Sequence, residues 1–454
     1  MHPLIRLASI VVGINGLAAA HAASGDLDTT FGPLLTGYSI RAFDLGGNNA
    51  DTGQVLLTQS NGYIVLVGRA SDGASSGRIA LTRLGPSGLV DSSFGSAGSA
   101  SFSLVSGTYS AAIPYVNSAA LDSLGRIIVV GDTANDDCSY VARFTNNGSI
   151  DASFGSGGVH VACPSSGHYI RFMDVAVDST DRLVIGGTYA ELSGDFVSSS
   201  MYLAARLTSA GVPDPTFNNG AMYAQSIGLT TSSKDRAGAI ALDRSGRIYL
   251  GGGAQTASNH DDLVILRLTA SGIADTTCGA SGHADVGAVA NSGFVATSLV
   301  LRDSHHLSLV GTWFDEANSS QSGVAYAEMD ADNCAPGSTG ITIPATAEMA
   351  GRAIAASDGA VYVSYSHLQT NLPGSPWSAG ILALYDPLPW NDMFMGINSG
   401  QSTYGTGIGL ASGKLLQLML DQVSGADYDF AAARFQNDRI LYANFDRDGA
   451  KATP

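Results

Sequence analysis

The chain has 454 residues, of which 45% are hydrophobic and 13% charged, with 56 glycines and a formal net charge of −17 at pH 7. That acidity, with no cluster of Lys and Arg, argues against nucleic acid and anionic membrane as partners, because binding to polyanions needs clustered cations that release counterions. The apolar content excludes a disordered chain, and many glycines between short β-branched runs predict an all-β fold.

The N-terminus reads Met1-His-Pro-Leu-Ile-Arg6, then an apolar stretch from Leu7 to Ala20, then Ala20-His21-Ala22. A basic start, a short apolar core and a small-x-small site predict a secretory signal peptide over 1–22. The stretch is too short to span a bilayer and is broken by Gly13, Asn15 and Gly16. The expected location is extracytoplasmic, periplasmic or secreted, and the chain does not read as an integral membrane protein.

From there one short pattern recurs: Gly25-Asp-Leu-Asp28-Thr-Thr-Phe31-Gly32, Gly88-Leu-Val-Asp91-Ser-Ser-Phe94-Gly95, Gly148-Ser-Ile-Asp151-Ala-Ser-Phe154-Gly155, Gly211-Val-Pro-Asp214-Pro-Thr-Phe217-Asn218 and Gly272-Ile-Ala-Asp275-Thr-Thr-Cys278-Gly279. Its aspartates are 63, 60, 63 and 61 residues apart, which marks a repeat architecture. Two further patterns keep the same phase. One is a turn feeding a β-branched strand, clearest in Asp122-Ser-Leu-Gly125-Arg126-Ile-Ile-Val-Val-Gly131 and Asp243-Arg-Ser-Gly246-Arg247-Ile-Tyr-Leu-Gly251. The other is a strand ending in Ala-Arg-Leu or similar, as at Arg83-Leu84, Arg143-Phe144, Arg206-Leu207, Arg267-Leu268 and Arg434-Phe435. With another apolar run upstream, each unit offers about four strands, the content of one propeller blade.

Seven such units predict a seven-bladed β-propeller over 23–437, with units at 33–85, 96–146, 156–209, 219–270, 280–331, 340–387 and 395–437 and a C-terminal tail over 438–454. The fifth and sixth units are the least regular, with Glu328 and Leu384 where the others carry Arg. Arg83, Arg143, Arg206 and Arg267 each stand eight residues before Asp91, Asp151, Asp214 and Asp275, which predicts a repeated ion pair clamping strand to loop. Asp28 lacks an upstream Arg and Arg434 lacks a downstream Asp, so the two are expected to pair and close the ring. Cys138, Cys163, Cys278 and Cys334 allow three pairings. Cys138 with Cys163 is the nearer pair, and Cys278 with Cys334 would tie neighbouring units.

On these motifs the chain resembles the bacterial delta-60 repeat family, specifically over the first four units and loosely after about residue 320. The resemblance implies a secreted or surface-associated β-propeller and carries no catalytic residues across. No zinc-protease helix or phosphate loop is present. His305-His306 lies in a turn, and His260-Asp261-Asp262 and Asn135-Asp136-Asp137 form polar loops that could offer oxygens to Ca2+ without the order of a calcium loop. No other cofactor is suggested. The three tryptophans all fall in the irregular units: Trp313, followed by Asp315 and Glu316, then Trp377 and Trp390. Exposed tryptophan is a favoured anchor for sugars and proteins. The expected role is therefore a binding scaffold for a protein or cell-surface glycan. The alternatives are an extracellular hydrolase or lyase on the same scaffold, and a structural surface component.

Overall fold

A computed structural model describes residues 27–43, 51–71, 77–106, 109–110, 114–133, 138–194, 196–227, 234–256, 260–288, 292–315, 321–341, 348–355, 360–368, 377–384, 391–395, 402–424 and 427–435. Seven four-stranded antiparallel sheets form a seven-bladed β-propeller, with one extra two-stranded ribbon between blades 1 and 2. The innermost strands, in blade order, are Thr52–Thr58, Tyr115–Leu121, His168–Val177, Arg236–Leu242, Ser292–Leu301, Glu348–Ala355 and Thr403–Ala411, each packed against the next around the axis. Among the described residues no helix is long and apolar enough to cross a membrane.

The sheets do not coincide with the sequence units. Ser99–Phe102, at the start of the second unit, pairs with Gly77–Leu84 and is the outer strand of blade 1. The same shift recurs around the ring, because the Gly-x-x-Asp-x-x-Phe-Gly motif is the loop between the third and fourth strands of a blade and not a boundary between blades. Blade 7 consequently takes its outer strand from the other end of the chain: Tyr38–Arg41 pairs with Asp427–Arg434, Tyr38 opposite Ala433.

Hydrophobic packing lies between blades rather than at one centre, with one buried cluster at each of the seven junctions. That explains why second strands carry continuous apolar runs, as over residues 64–67 and 127–130, instead of alternating. In Ile127–Asp132, Ile127 and Val129 pack towards blade 1, while Ile128 and Val130 pack towards blade 3.

The polar motif closes one end of each junction. Arg83, Arg143 and Arg206 donate Nε to Oδ2 of Asp91, Asp151 and Asp214 at 2.7, 2.8 and 2.7 Å, and Arg267 Nε lies 2.8 Å from Asp275 Oδ2. The other carboxylate oxygen accepts from the backbone N–H and hydroxyl two residues on, at Ser93, Ser153, Thr216 and Thr277. The first three guanidiniums lie 4.8, 4.6 and 5.1 Å from the ring centroids of Phe94, Phe154 and Phe217. Nη1 of each donates to a carbonyl of the next blade, namely Asn146, Ser209 and Ala270. One arginine thus holds its own loop, stacks on its own Phe and grips the neighbour. The motif glycine completes the joint: Gly148, at φ +88°, faces Phe94 so closely that a Cβ would sit 2.7 Å from the ring. Any side chain there would prise the two blades apart.

At the fifth motif Cys278 replaces Phe, and it forms a disulfide with Cys334 in the corresponding loop of blade 5. A covalent bond takes the place of the ring–glycine contact. Cys138 pairs with Cys163 within blade 2. Blade 5 also exchanges its clamp, with Glu328 bonded to Arg302 of the preceding turn.

The two ends of the chain meet through the same joint. Arg434 Nε donates to Asp28 Oδ2 at 2.8 Å, its guanidinium lies 4.7 Å from the Phe31 centroid, and its Nη1 donates to Pro86 O of blade 1. Lys414 contacts the same Asp28 oxygen, and the Asp28 side chain is fully buried. Removing one partner of a buried ion pair typically costs about 3–5 kcal/mol. We therefore expect Asp28→Ala to lower stability by about that amount in urea unfolding, and Asp91→Ala, whose pair is partly exposed, to lower it by about 1 kcal/mol. Equal losses would show that ring closure is not special.

Burial pushes the carboxyls of Asp28, Asp91, Asp151, Asp214 and Asp275 up. Their loop hydroxyls and amides and the clamp cations outweigh it and hold all five below the ordinary 3.8, Asp28 furthest. Asp132 and Asp262, raised by burial, move the other way and are outnumbered. Folded-state values below the unfolded ones mean that this stability is present above about pH 4 and is lost as the pH falls through the depressed values. The urea midpoint is expected to hold from about pH 7 to 5 and to drop below about pH 4. A midpoint that rises on acidification would contradict the clamp.

Candidate functional site: the axial cavity

The opposite end of the molecule is built differently. Each inner strand carries one extra residue that breaks its register with the second strand. The shifts fall between Gly53 and Val55, Val116 and Ser118, Phe172 and Asp174, Ala237 and Ala239, Ala296 and Ser298, Ala350 and Ala353, and Gly405 and Gly407. A β-bulge bends its strand and re-aims the extra side chain. Here the seven re-aimed positions are Gln54, Asn117, Met173, Gly238, Thr297, Arg352 and Thr406, and all seven line one cavity of about 480 Å³ on the propeller axis. Val295 and Met349 line it too and are 42% and 40% exposed, which places its mouth at the starting end of the inner strands, away from the clamps.

The bulge has a sequence signal that the motif reading passed over. In blades 1 to 5 a glycine at the end of the β-branched run stands opposite the inner strand beside the bulge, as Gly68, Gly131, Gly187, Gly252 and Gly311 do. At Gly131 a Cβ would run into the Tyr115 carbonyl of the inner strand. Glycine is required there by the close approach of the two backbones.

Of the seven bulge residues only Arg352 is charged. It reaches across the axis from blade 6: Nη1 donates to Asp174 Oδ1 of blade 3 at 2.9 Å, and Nη2 donates to the Asn117 carbonyl of blade 2. Asp174 also accepts from Ser118 Oγ at 2.6 Å, from its neighbour Val175 N at 3.0 Å and from Ile240 N of blade 4 at 3.0 Å. Asn117 Nδ2 donates to Asp132 Oδ2 at 2.8 Å and to Phe172 O at 2.9 Å. Burial raises the Asp132 carboxyl despite that amide, Arg171 and Ser139. The rest of the wall is mainly apolar, with Val116, Ala296, Leu420 and Tyr404.

The aromatic candidates fall in different places. Trp313 is 6% exposed and packs in the cluster between blades 4 and 5 with Phe294 and Leu309, so it is a core residue and not an exposed anchor. Asp315 ends the second strand of blade 5, and its backbone N–H donates to Gln321 O. Trp377 begins the third strand of blade 6 and lies 5.6 Å, at 31°, from the ring of Tyr404, which itself lines the cavity. Glu316, Trp390, the Asn135–Asp137 loop, the leader over 1–22 and the tail over 438–454 lie outside the described residues. His305 and His306 sit at the clamp end, where His305 Nδ1 is 2.6 Å from Asp332 Oδ2 and His306 Nδ1 is 2.8 Å from Asp303 Oδ2. His260 Nε2 is 3.7 Å from Asp262 Oδ1 on the third strand's rim of blade 4. Among the described residues no three His, Cys, Asp or Glu side chains are grouped to hold a metal ion.

The chain matches the family described as a domain of unknown function (DUF5122) beta-propeller over residues 59–94 and 125–154. Those spans run from the first turn to the motif phenylalanine of blades 1 and 2. No curated protein matches. Among solved structures, the polysaccharide lyase Uly1 is similar at a TM-score of 0.50 and 10% identity, over 85% of this chain and 90% of that one. A Trypanosoma rangeli sialidase aligns at a TM-score of 0.43 and 10% identity, over 88% of this chain and 57% of its own. A PL25 ulvan lyase aligns at 0.38 and 8% identity, over 70% and 83%. The likeness to Uly1 is one of fold, and together with the matched repeats it supports a β-propeller repeat family.

Proposed function

We propose that this chain is an extracytoplasmic binding module that takes a glycan at the mouth of its axial cavity. The carrying observation is the division of labour between the two ends. Repeated polar residues at one end are consumed in blade-to-blade clamps, while at the other all seven inner strands are bulged to open one cavity. Its size lies within the range of small-ligand sites, and its lining follows their pattern of apolar walls with a few placed polar groups. Tyr404, backed by Trp377, offers the aromatic surface on which a sugar ring packs. The two disulfides suit an oxidising compartment, and the leader read in the sequence agrees with that location.

The test is a binding screen of the 23–454 protein against soluble polysaccharides and their oligosaccharides, with product analysis in the same tubes. Selective binding that Met349→Trp, at the mouth, weakens at least tenfold without lowering the melting temperature is the expected outcome. Shortened polymer would instead make the chain a hydrolase or lyase, and self-association without ligand would make it a structural component.

A further inference from the structure

The geometry points to Arg352 as a carboxylate-binding residue: the axial cavity takes the carboxylate of an acidic sugar, a hexuronate unit, which replaces Asp174 as the partner of the guanidinium. This rests on the glycan-binding reading above and names its substrate class.

Arg352 is set apart from the clamp arginines by its surroundings. Those guanidiniums lie over a phenylalanine or are locked to a motif aspartate, with side chains 1–13% exposed. Arg352 lies in the cavity wall with its side chain 20% exposed and holds its partners through the two terminal nitrogens. Those nitrogens form the planar fork that matches a carboxylate. Asp174 does not depend on it. With Arg352 withdrawn, its carboxylate still accepts from Ser118 Oγ, Val175 N and Ile240 N, so no buried charge is left without donors. The exchange therefore swaps one carboxylate for another at the same guanidinium, and the three remaining donors offset part of the cost of parting Asp174 from its cation. The remaining wall, with Val116, Val295, Leu420 and Tyr404, suits the C–H face of a pyranose ring and, among the described residues, offers no second cation to an added anion. One carboxylate on an otherwise neutral ring matches this single cation, whereas a phosphate dianion or a run of sulfates brings more charge than one guanidinium balances.

Calorimetric titration of the 23–454 protein with hexuronate oligosaccharides, their carboxyl-reduced counterparts and the free monouronate tests this directly. The acidic oligomer is expected to bind roughly tenfold or more tightly than its reduced form, the scale of a charge-assisted hydrogen-bond pair. Arg352→Gln should erase that preference, and Asp174→Asn, which keeps Oδ1 as an acceptor for Ser118, Val175 and Arg352 but removes the negative charge that competes for the guanidinium, should strengthen acid binding several-fold. A purely structural Arg352–Asp174 tie predicts lower melting temperatures for both variants and no change in preference, and would overturn the proposal. If a variant does not fold, the acid-against-reduced comparison on the unaltered chain still decides. Acidic and reduced forms that bind alike defeat the carboxylate assignment and leave the glycan reading standing, whereas no binding of any glycan defeats both. A monouronate that binds as tightly as the oligomer identifies a free acid sugar as the source, and weaker binding identifies a unit within a polymer. Either result supports carboxylate recognition.

Discussion

A single guanidinium, used five times, holds this ring together. In each clamp the arginine bonds the motif aspartate of its own loop and donates to the next blade. In four of the five it also lies over the motif phenylalanine. A propeller has no common core, so each junction must be stable by itself and must set the angle to its neighbour. Apolar packing between blades supplies most of the free energy but little direction. The clamp supplies direction, because a planar cation with several fixed donors tolerates few arrangements. Such buried pairs can be close to neutral in stability while specifying geometry, and here the specified geometry is the rotation from blade to blade.

Where all or part of the clamp is lost the chain substitutes another constraint. The motif of blade 4 lacks its phenylalanine, and Cys278 bonds Cys334 across the same junction. By the chain-entropy account, closing a loop of this length is worth about 4 kcal/mol, ample replacement for an aromatic contact. Blade 5 reverses the charges with Arg302 and Glu328. Blade 6, with Leu384 in the arginine position, instead sends Arg352 across the axis to blades 2 and 3. Blade 6 is therefore where a charged side chain stands at the cavity and not in the repeated joint.

Much of this was legible in the chain because the clamp is local. An eight-residue offset from Arg to Asp, a hydroxyl two positions on and a glycine in the next loop are short-range patterns, and a period near sixty counts the blades. The leftover Asp28 and Arg434 likewise follow from matching ends of one pattern. The grouping of strands was less legible: the motif repeats most visibly, yet it sits inside a sheet, and only hydrogen-bond register shows that Ser99–Phe102 belongs with blade 1. Tryptophan positions misled in one case for a simple reason. Burial depends on the neighbouring blade, and Trp313 fills the junction with blade 4, whose Leu263 and Ile265 belong to the same cluster.

The sequence by itself determined the repeat, the number of blades, the polar joints and the partners that close the ring, since these depend on residues near one another or on strict periodicity. The tertiary structure alone decided that seven unremarkable inner-strand positions converge on one axis and that Arg352 meets Asp174, 178 residues away. The physical reason is the bulge. One extra residue per inner strand turns a side chain towards the axis, and which residues then face one another depends on the closure of the whole ring.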